Sequence, residues 1–337
     1  MGHATRCVPI INELIKANFE PIIASDGNAL LLLQKEFPNL KSFELPSYNI
    51  RYSKKGKYLK IKLFFQIPTI ISAVKSERKL IAQLIEKEQV EGVISDNRFG
   101  VYSSKIPSVY VTHQLNVMSG NTTFLTSYFH QKIIEKFDEC WIPDFDFGCN
   151  ISGELGHIKN AKLKLKYIGL LSRFKFSKRE IKRDILVLLS GSEPQRTLLE
   201  KKLLKTFKNY KGTVLFVRGV LSKEDKVEVS NNIKVENYLL TKDLEKAIVE
   251  SEIVISRSGY STIMDLAVLQ KKAYFIPTPG QFEQEYLAKL MSRNKIAPFS
   301  SQNEFSLDKL KEVDNFNGFE KISSNKILEM FSLFNGK

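Results

Sequence analysis

The sequence predicts an α/β protein built from two doubly wound domains, each with a parallel sheet. The chain has 337 residues, which is long for a single hydrophobic core. Short apolar runs alternate along it with longer segments of helical periodicity, as expected of βα units. Hydrophobic residues make up 43% of the chain and charged residues 26%. These values are typical of a folded globular protein and exclude a disordered or fibrous one.

The first predicted domain spans residues 1–171. A doubly wound domain normally opens with a strand, whereas this sequence opens with a Gly-His turn that leads directly into a helix. The pattern therefore predicts that the first strand of this domain is missing. The predicted strands are Pro21–Ser25, Ser42–Leu45, Gly92–Ser95, Ser108–Thr112 and Glu139–Ile142, and the predicted helices are Arg6–Lys16, Lys62–Lys87 and Phe124–Phe137.

The second half repeats the pattern after a polar, basic linker at residues 172–183. We expect a second domain over residues 184–324 and a final amphipathic helix within residues 325–337. Two such domains would place a ligand site in a cleft between the carboxyl ends of both sheets. The predicted strands are Ile185–Leu189, Thr213–Val217, Ile233–Glu236, Ile253–Ser256 and Ala273–Pro277, and the helices are Pro194–Phe207, Lys242–Glu250, Ser261–Leu269, Glu283–Arg293 and Asn325–Phe334.

The chain is strongly basic, with a formal net charge of +14. Part of the excess lies between Arg51 and Lys62, just before the apolar run Leu63–Ile67. This arrangement indicates either contact with an anionic membrane surface or, as the favoured reading, a lysine-rich loop that leads into a buried helix. No segment reaches the roughly 18–20 apolar residues that span a bilayer, and no nucleic-acid recognition module is readable, so no nucleic-acid partner is predicted.

Three cysteines, Cys7, Cys140 and Cys149, form no metal-binding or disulfide pattern. Cysteines without such a pattern are typical of a protein in the reducing cytoplasm. A cytoplasmic location is therefore expected, with peripheral attachment to the inner face of the membrane as the open alternative.

The strongest local signal is an apolar strand, Ile253–Ser256, that ends in a small-residue turn and opens a helix. Helix N-termini carry unpaired N–H groups and partial positive charge, so they suit a diphosphate. Asp265, one turn inside the helix, can accept two hydrogen bonds from a ribose diol. An ordinary capped strand–helix junction is the alternative for this segment alone. The candidate donor-binding residues here are Arg257, Ser258, Gly259, Tyr260, Ser261 and Asp265.

Two further loops follow strands of the same predicted sheet. One contains Ser190, Gly191 and Ser192 before a helix that begins at a proline, which is a second candidate anion-binding turn. The other contains Gly280 and Gln281, followed by Gln284 and Glu285, whose side chains can reach sugar hydroxyls. Because parallel strands end at one edge of a sheet, the three loops together predict a nucleotide site.

The motifs of the second half resemble glycosyltransferase family 28. The resemblance rests on Ser256–Gly259 with Asp265, on Pro277–Gly280, and on Gln284–Tyr286. It implies a GT-B fold, in which two Rossmann-like domains face a central cleft, and transfer of a hexose or N-acetylhexosamine from a UDP-sugar. It also implies that Asp265 binds the ribose, that Gln284 and Glu285 bind the donor sugar, and that Ser190–Ser192 bind the diphosphate.

The first half resembles the family at three shorter motifs. Gly2-His3 stands where the family has a Gly-Gly-His turn, Thr112–Asn116 resembles a His-Glu-Gln-Asn stretch, and Ser95–Gly100 falls at another family loop. The resemblance implies that His3 is the catalytic base, with His113 and Asp96 as reserves.

Two positions depart from the family pattern. Gln114 replaces the family's glutamate, so the lipid-linked peptidoglycan acceptor of the family's best-known member does not follow. A glycan or another lipid-linked acceptor remains open. Glu193 would repel a diphosphate unless it points away.

We expect an inverting single displacement that needs neither metal nor cofactor, because helix N-termini can stabilise the leaving diphosphate. Asp144-Phe145-Asp146 spells a metal-binding DxD motif but lacks the matching context, and His130 and His157 are expected to be ordinary surface or helix residues. Two alternatives remain open from the sequence. They are a sugar-nucleotide 2-epimerase and a non-catalytic nucleotide-sugar-binding protein.

Overall fold

The fold was analysed in a computed structural model of the chain. It describes residues 2–48, 59–148, 150–158, 162–220, 232–321 and 327–334, with no description of the side chains of residues 59–67 and 327–329. The described residues form two compact units. One comprises Gly2–Arg51, Lys60–Leu171 and Ser323–Lys337, and the other contains Ser172–Ile322.

The N-terminal unit is α/β, and the strand pairs among its described residues are all parallel. Strand β1 pairs with β2, and a separate sheet has the order β3-β4-β5-β6. Two buried clusters pack against these sheets, one around Leu45, Ile81 and Val93 and the other around Tyr110, Leu115 and Ile142. The elements are α1 (Gly2–Lys16), β1 (Ile23–Ser25), α2 (Gly27–Glu36), β2 (Ser42–Glu44), α3 (Leu59–Glu88), β3 (Val93–Asp96), β4 (Ser108–Val111), α4 (Thr123–Ile134), β5 (Glu139–Ile142) and β6 (Leu165–Tyr167).

Helix α1 corrects the expected start of the chain. The predicted Gly2-His3 turn is wrong, because both residues lie in the first turn of α1. Pro9 is tolerated inside this helix, and the hydroxyl of Thr5 donates to the Gly2 carbonyl at 2.9 Å. Ala4, Val8 and Ile11 recur on one face and are buried, which is the pattern that ties an amphipathic helix to a core. The first strand described is β1.

The C-terminal unit contains one parallel sheet of order β11-β10-β7-β8-β9. Strand order reverses between β7 and β10, so this is a doubly wound sheet with its switch point there. One buried cluster is built on a single face of these strands and includes Val187, Phe216, Ile255 and Tyr274. The elements are β7 (Arg183–Leu188), α5 (Gln195–Phe207), β8 (Val214–Val217), β9 (Ile233–Glu236), α6 (Thr241–Val249), β10 (Ser251–Ser256), α7 (Tyr260–Val268), β11 (Lys272–Phe275) and α8 (Phe282–Arg293), with a 3-10 helix at Leu307–Asn315.

The predicted linker and the predicted final helix, on either side of this unit, differ from the sequence-based expectation. The first part of residues 172–183 packs onto the C-terminal unit, where Phe174 is buried. The predicted final helix is a 3-10 helix over Ile327–Leu333 in its described part. Phe331 there is buried, and its ring packs against those of Trp141 and Phe19 in the N-terminal unit.

Two sequence-based expectations concern surfaces and membranes. No helix among the described residues is both long enough and apolar enough to cross a membrane. The basic run Arg51–Lys62 and Cys149 lie outside what the structure describes at side-chain level, so the membrane-surface prediction for that run stays a prediction.

Candidate functional site

A charged cluster at the carboxyl end of β3 brings together the three predicted catalytic residues. Its centre is Arg6, on α1, whose side chain is 1% exposed. Arg6 Nε donates to Asp96 Oδ2 at 2.9 Å, and Nη2 also contacts Asp96 Oδ1. Nη1 lies 2.8 Å from His113 Nδ1, and Nη2 lies 2.9 Å from His3 Nδ1. The fold therefore joins His3, Asp96 and His113 through one guanidinium.

The members of this cluster differ in exposure and charge. The His3 side chain is 53% exposed, and its Nδ1 lies 3.1 Å from Asp96 Oδ1. Asp96 is only 6% exposed. Burial alone would raise the pKa of Asp96, but Arg6 and then His3 outweigh it and hold that pKa well below its usual value. Asp96 is thus ionised at neutral pH. The Cys7 thiol lies beside it, and burial of this thiol raises its pKa.

A second buried network holds the loop that carries Asp96. Asn97 follows the strand with a φ of +55°, and Arg98 then reaches Asp26 at 2.6 Å and the Pro46 carbonyl at 2.7 Å. Arg98 also pairs with Glu77, a fully buried carboxylate on α3. Because Asp26 and Pro46 follow β1 and β2, these contacts gather the carboxyl ends of three strands and fix the position of Asp96.

The three predicted donor loops lie at one edge of the C-terminal sheet. They follow β7, β10 and β11, which are neighbouring strands, and the first two flank the switch point. Buried contacts connect them. The Ser258 hydroxyl donates to the Gln284 carbonyl at 2.7 Å, and Arg257 donates to the carbonyls of Gln195, Ile276 and Pro277. The loops therefore form one assembly.

These loops expose main-chain donors. Among the described residues, no acceptor pairs with the backbone N–H groups of Ser190, Gly191, Ser192, Ser258 or Gly259. Gly191 has a φ of +101°, which favours glycine, and open space lies where a side chain would project from Gly191 or Gly259. Gly259 is the N-cap residue of α7 and, as a glycine, has no side chain with which to cap it. Unpaired amides at a helix N-terminus suit an anion.

Asp265 lies inside α7, one turn from these amides. Its Oδ1 accepts a hydrogen bond from the Ser172 hydroxyl at 2.6 Å. Burial raises the pKa of Asp265 to about 6, against the lowering effects of Arg173 and of the Ser172 bond. The carboxylate is therefore less fully satisfied than that of Asp96, and additional hydrogen-bond donors would stabilise its charged form.

Gln284 and Glu285 support the third loop. Gln284 Oε1 accepts the Thr278 backbone N–H at 2.8 Å, and Glu285 Oε1 accepts that of Gly280 at 2.9 Å. The Gln284 amide nitrogen makes no hydrogen bond within the described part of the chain. Their predicted contact with the donor sugar stays a prediction. Gln281 occupies the N-cap position of α8 without a side-chain capping bond, while Tyr260 and Ser261 lie in the first turn of α7.

Two charged residues near the loops are hydrogen-bonded within the C-terminal unit, Arg257 in its interior and Glu193 at its surface. Arg257 is 1% exposed, and its bonds to three loop carbonyls make it a brace for the loops. Glu193 accepts hydrogen bonds from Arg196 Nε at 2.6 Å and from the Thr197 backbone N–H at 3.3 Å. Partial burial alone would raise the pKa of Glu193, but those two residues hold it below its usual value. The Glu193 carboxylate is therefore hydrogen-bonded to the first turn of α5.

The Asp144–Asp146 motif and the other two histidines have structural contacts. Asp144 is fully buried and accepts backbone N–H bonds from Phe145, Ile151 and Ser152 as well as the Ser152 hydroxyl. His130 contacts the Tyr110 hydroxyl at 3.0 Å, and burial lowers its pKa to about 4. His157 contacts the Phe145 and Gly153 carbonyls. No cluster of metal-ligating side chains occurs among the residues the structure describes.

Sequence reasoning missed Arg6. The available signal was its spacing, because an arginine three residues after His3 on α1 lies on the same side of a helix. Arg6 is also buried, on the side of α1 away from Ala4, Val8 and Ile11, and a buried arginine needs partners.

Comparison with known proteins identifies relatives of both halves. Residues 185–315 match the family model described as the glycosyltransferase family 28 C-terminal domain. An uncharacterised glycosyltransferase from Methanosarcina acetivorans is 24% identical over 342 residues, which cover 93% of this chain and 87% of the relative. The UDP-N-acetylglucosamine–N-acetylmuramyl-(pentapeptide) pyrophosphoryl-undecaprenol N-acetylglucosamine transferase of Pelagibacter ubique is 24% identical, with 97% and 94% covered.

Solved structures share the fold. The spinosyn rhamnosyltransferase SpnG, complexed with thymidine diphosphate, matches with a TM-score of 0.63 and 12% identity, over 94% of this chain and 90% of that one. MurG from Acinetobacter baumannii matches with a TM-score of 0.53 and 13% identity, over 94% and 89%. The architecture of two units with parallel sheets is the GT-B fold of these glycosyltransferases.

Proposed function

We propose a donor, a base and an acceptor class for this chain, which is a glycosyltransferase with the GT-B fold and a family 28 C-terminal domain. Sugar transfer from a nucleotide-sugar donor is the activity that its relatives share. The proposed reaction moves a hexose or N-acetylhexosamine from a UDP-sugar to a hydroxyl acceptor with inversion. The observation that carries it is the set of open amides, from Ser190–Ser192 and from Ser258 and Gly259, at the edge of one sheet.

The donor is proposed to bind with its diphosphate on these amides and its ribose at Asp265. The charged carboxylate of Asp265 can accept both ribose hydroxyls, and each such charge-assisted bond contributes about 1.5–3 kcal/mol. Uridine is favoured because the family 28 relative from Pelagibacter ubique is named for a UDP-sugar. The Gln284 amide and the second oxygen of Glu285 are the proposed sugar contacts, and their bonds to Thr278 and Gly280 hold them in place.

His3 is the proposed base, and the geometry of the cluster separates it from the two reserves. Asp96 is a weak proton acceptor, because its pKa is held well below the usual range. His113 Nδ1 faces Arg6, which can only donate. His3 is the most exposed of the three. With its Nδ1 proton donated to Asp96, the Nε2 lone pair of His3 can take a proton.

In the proposed step, the acceptor oxygen attacks the anomeric carbon while the bond from that carbon to the diphosphate oxygen breaks. The acceptor proton moves to His3 Nε2, and the leaving diphosphate keeps the bonding electron pair. Amides at the start of α7 stabilise the charge that grows on the diphosphate. We propose that this needs no metal, and turnover that is unchanged by a chelator would support the assignment.

The acceptor is proposed to be a glycan or a lipid-linked molecule, handled in the cytoplasm or at the inner face of the membrane. The support is the relative from Pelagibacter ubique, whose name specifies a pyrophosphoryl-undecaprenol acceptor.

A thermal-shift screen of nucleoside diphosphates and nucleotide sugars tests the donor. We expect UDP and one UDP-sugar to stabilise the wild-type protein and to have little effect on Asp265→Ala. Asp308→Ala, which removes an exposed carboxylate of the same unit, is the matched control and should respond like the wild type. Stabilisation by a different base, or an equal response of Asp265→Ala, would overturn the uridine or the ribose assignment respectively.

A further inference from the structure

We propose that helix α4 docks the protein on an anionic lipid surface. The residues that carry this docking are Phe124, Leu125, Tyr128 and Phe129, which we call the α4 surface. The inference deepens the membrane location given under the proposed function and rests on that function only for its purpose, which is to bring the enzyme to a lipid-linked acceptor. The docking itself is a property of the chain without substrate.

Helix α4 buries polar side chains and exposes apolar ones, which reverses the usual arrangement. The four residues of the α4 surface are 85%, 53%, 49% and 58% exposed, in chain order. By contrast, Ser127 and His130 on the same helix are each only 6% exposed. A surface helix normally turns its apolar stripe toward the core, so packing within the unit does not explain the exposed residues.

The buried polar side chains make hydrogen bonds that fix the orientation of the helix. The Ser127 hydroxyl accepts the Val117 backbone N–H at 2.9 Å, and His130 Nε2 lies 3.0 Å from the Tyr110 hydroxyl. Ile134, in the next turn of the helix, belongs to the same buried cluster as Tyr110. A rotation of α4 that buried its aromatic rings would break these contacts, so the α4 surface faces outward.

The four exposed residues form one continuous stripe. Residues three or four positions apart are neighbours on a helix, so Phe124 lies beside Tyr128 and Leu125 lies beside Phe129. The rings of Tyr128 and Phe129 have their centroids 5.7 Å apart, which joins the two rows. A contiguous exposed apolar patch of this kind marks a site of contact with a protein or a membrane.

The charges near the stripe are basic or paired. The stretch from Asn97 to Ile134 contains no aspartate or glutamate. The next acidic residue, Glu135, pairs with Lys132 at 2.8 Å, and Lys136 follows it. The stripe therefore has lysines at one end and lies in a segment of the chain that would not repel phosphate groups.

This charge favours a lipid surface over a second copy of the chain. Each copy has a formal net charge of +14, which opposes self-association and attracts anionic headgroups. The side chains also fit a lipid interface. Phenylalanine and leucine enter the boundary between headgroups and acyl chains, where interfacial helices bury their apolar face by about 5–10 Å. Tyrosine and lysine keep their polar ends among the headgroups.

Vesicle flotation of the full chain without substrate tests the proposal. Vesicles that mix phosphatidylcholine with phosphatidylglycerol should bind the wild-type protein, and phosphatidylcholine alone should bind it much more weakly. Phe124→Ser combined with Phe129→Ser should lower the partition coefficient about 100-fold, at about tenfold for each phenylalanine removed from the interface. Phe176→Ser, which removes an exposed phenylalanine of the other unit, is the matched control and should bind like the wild type.

A lysine variant tests the electrostatic part. Lys136→Gln should weaken binding to the anionic vesicles about fivefold and leave binding to neutral vesicles unchanged. Lys211→Gln removes an exposed lysine of the C-terminal unit and should have a smaller effect. All of these side chains are exposed in the free protein, so the thermal unfolding midpoints of the variants should match that of the wild type.

Three results would overturn the proposal. Undiminished vesicle binding by the double phenylalanine variant would exclude the α4 surface, and equal binding to neutral and anionic vesicles would exclude an anionic partner. A dimer in sedimentation velocity that the double variant dissociates would identify a second copy of the chain as the partner. Vesicle binding by a protein that transfers no sugar would refute the proposed function alone, whereas sugar transfer without vesicle binding would refute the docking alone.

Discussion

The carboxyl edges of the two sheets are built from different chemistry. In the N-terminal unit, charged side chains from distant parts of the sequence bond to one another around Arg6. In the C-terminal unit, the charged side chains of Glu193 and Arg257 bond to their own surroundings, and small residues present main-chain amides. The same architecture thus presents titratable side chains at one edge and main-chain amides at the other.

The two key carboxylates show the same difference. Asp96 has a guanidinium partner, and its pKa lies well below the ordinary value. Asp265 has one hydroxyl partner, and burial raises its pKa to about 6. Asp96 already has its hydrogen-bond donors within the protein. Asp265 is buried with fewer donors, so a ligand that brings hydroxyl groups would stabilise its charged form. The following predictions test this contrast.

The largest expected effect is that of His3→Ala. Loss of a general base lowers kcat about 10²–10⁴-fold, and the donor KM should stay within about twofold because the donor loops are unaltered. Steady-state kinetics with saturating acceptor measure both constants. His157→Ala removes a histidine that contacts the Phe145 and Gly153 carbonyls and should keep wild-type kcat. An equal kcat for His3→Ala and the wild type would contradict the assignment of His3 as the base.

Asp265→Asn is expected to stabilise the ligand-free protein while it weakens donor binding. The folded-state pKa of about 6 exceeds the ordinary value of 3.8, so the folded chain binds this proton more tightly. The contribution of this group to the free energy of unfolding is therefore greatest below pH 4 and is lost as the pH rises through 6. At pH 7.5 the variant should gain up to about 3 kcal/mol, and at pH 4 the gain should vanish. Urea unfolding at both values, beside Asp308→Asn, is the measurement.

Donor affinity should fall in acid. Since the ribose needs the ionised form of Asp265, the Kd for UDP should be about tenfold higher at pH 5 than at pH 7.5 if the pKa is about 6. Ser172→Ala removes a hydrogen bond that lowers this pKa and should move the midpoint to higher pH. Calorimetric titrations across this range test it, and a Kd that does not change with pH would contradict the assigned role.

The smallest expected effect distinguishes two roles of Gln284, which are support of the third loop and binding of the donor sugar. Gln284→Ala leaves the Thr278 N–H without its acceptor, which costs about 1–3 kcal/mol. Gln284→Glu keeps an acceptor for that N–H but removes the amide donor. If Gln284 binds the sugar, Gln284→Glu should retain stability and the affinity for UDP but raise the KM for the UDP-sugar. Unchanged kinetics would restrict Gln284 to the loop.

Much of the fold could be predicted from the sequence. Apolar runs located ten of the eleven described strands within about two residues, because strands buried in a parallel sheet are nearly continuous in hydrophobicity. Strand β6 was not predicted, and the other errors lie at the termini. The Gly2-His3 turn is a helix start because its place depends on Asp96, which is 93 residues away from His3. The final segment is a 3-10 helix that packs Phe331 on Trp141.

The two halves of the site differed in how far they could be predicted. The donor loops are contiguous motifs after adjacent strands, so their common edge follows from the βα pattern. Arg6 was not predicted, because its role depends on residues 90 and 107 positions away. The side chains of Gln284 and Glu285 were named, but their bonds to the loop could not be foreseen, since the same groups can serve either a loop or a sugar.

Helix α1 carries the proposed base and core residues on different faces. His3 and Arg6 belong to the same short helix as the buried Ala4, Val8 and Ile11, so a change of side-chain volume at the core face would tilt His3 and Arg6 together. Under the proposed function, a substitution in the interior of this helix would therefore also alter proton transfer. Drift at these hidden apolar positions would be observed first as a slower enzyme and only later as an unfolded one.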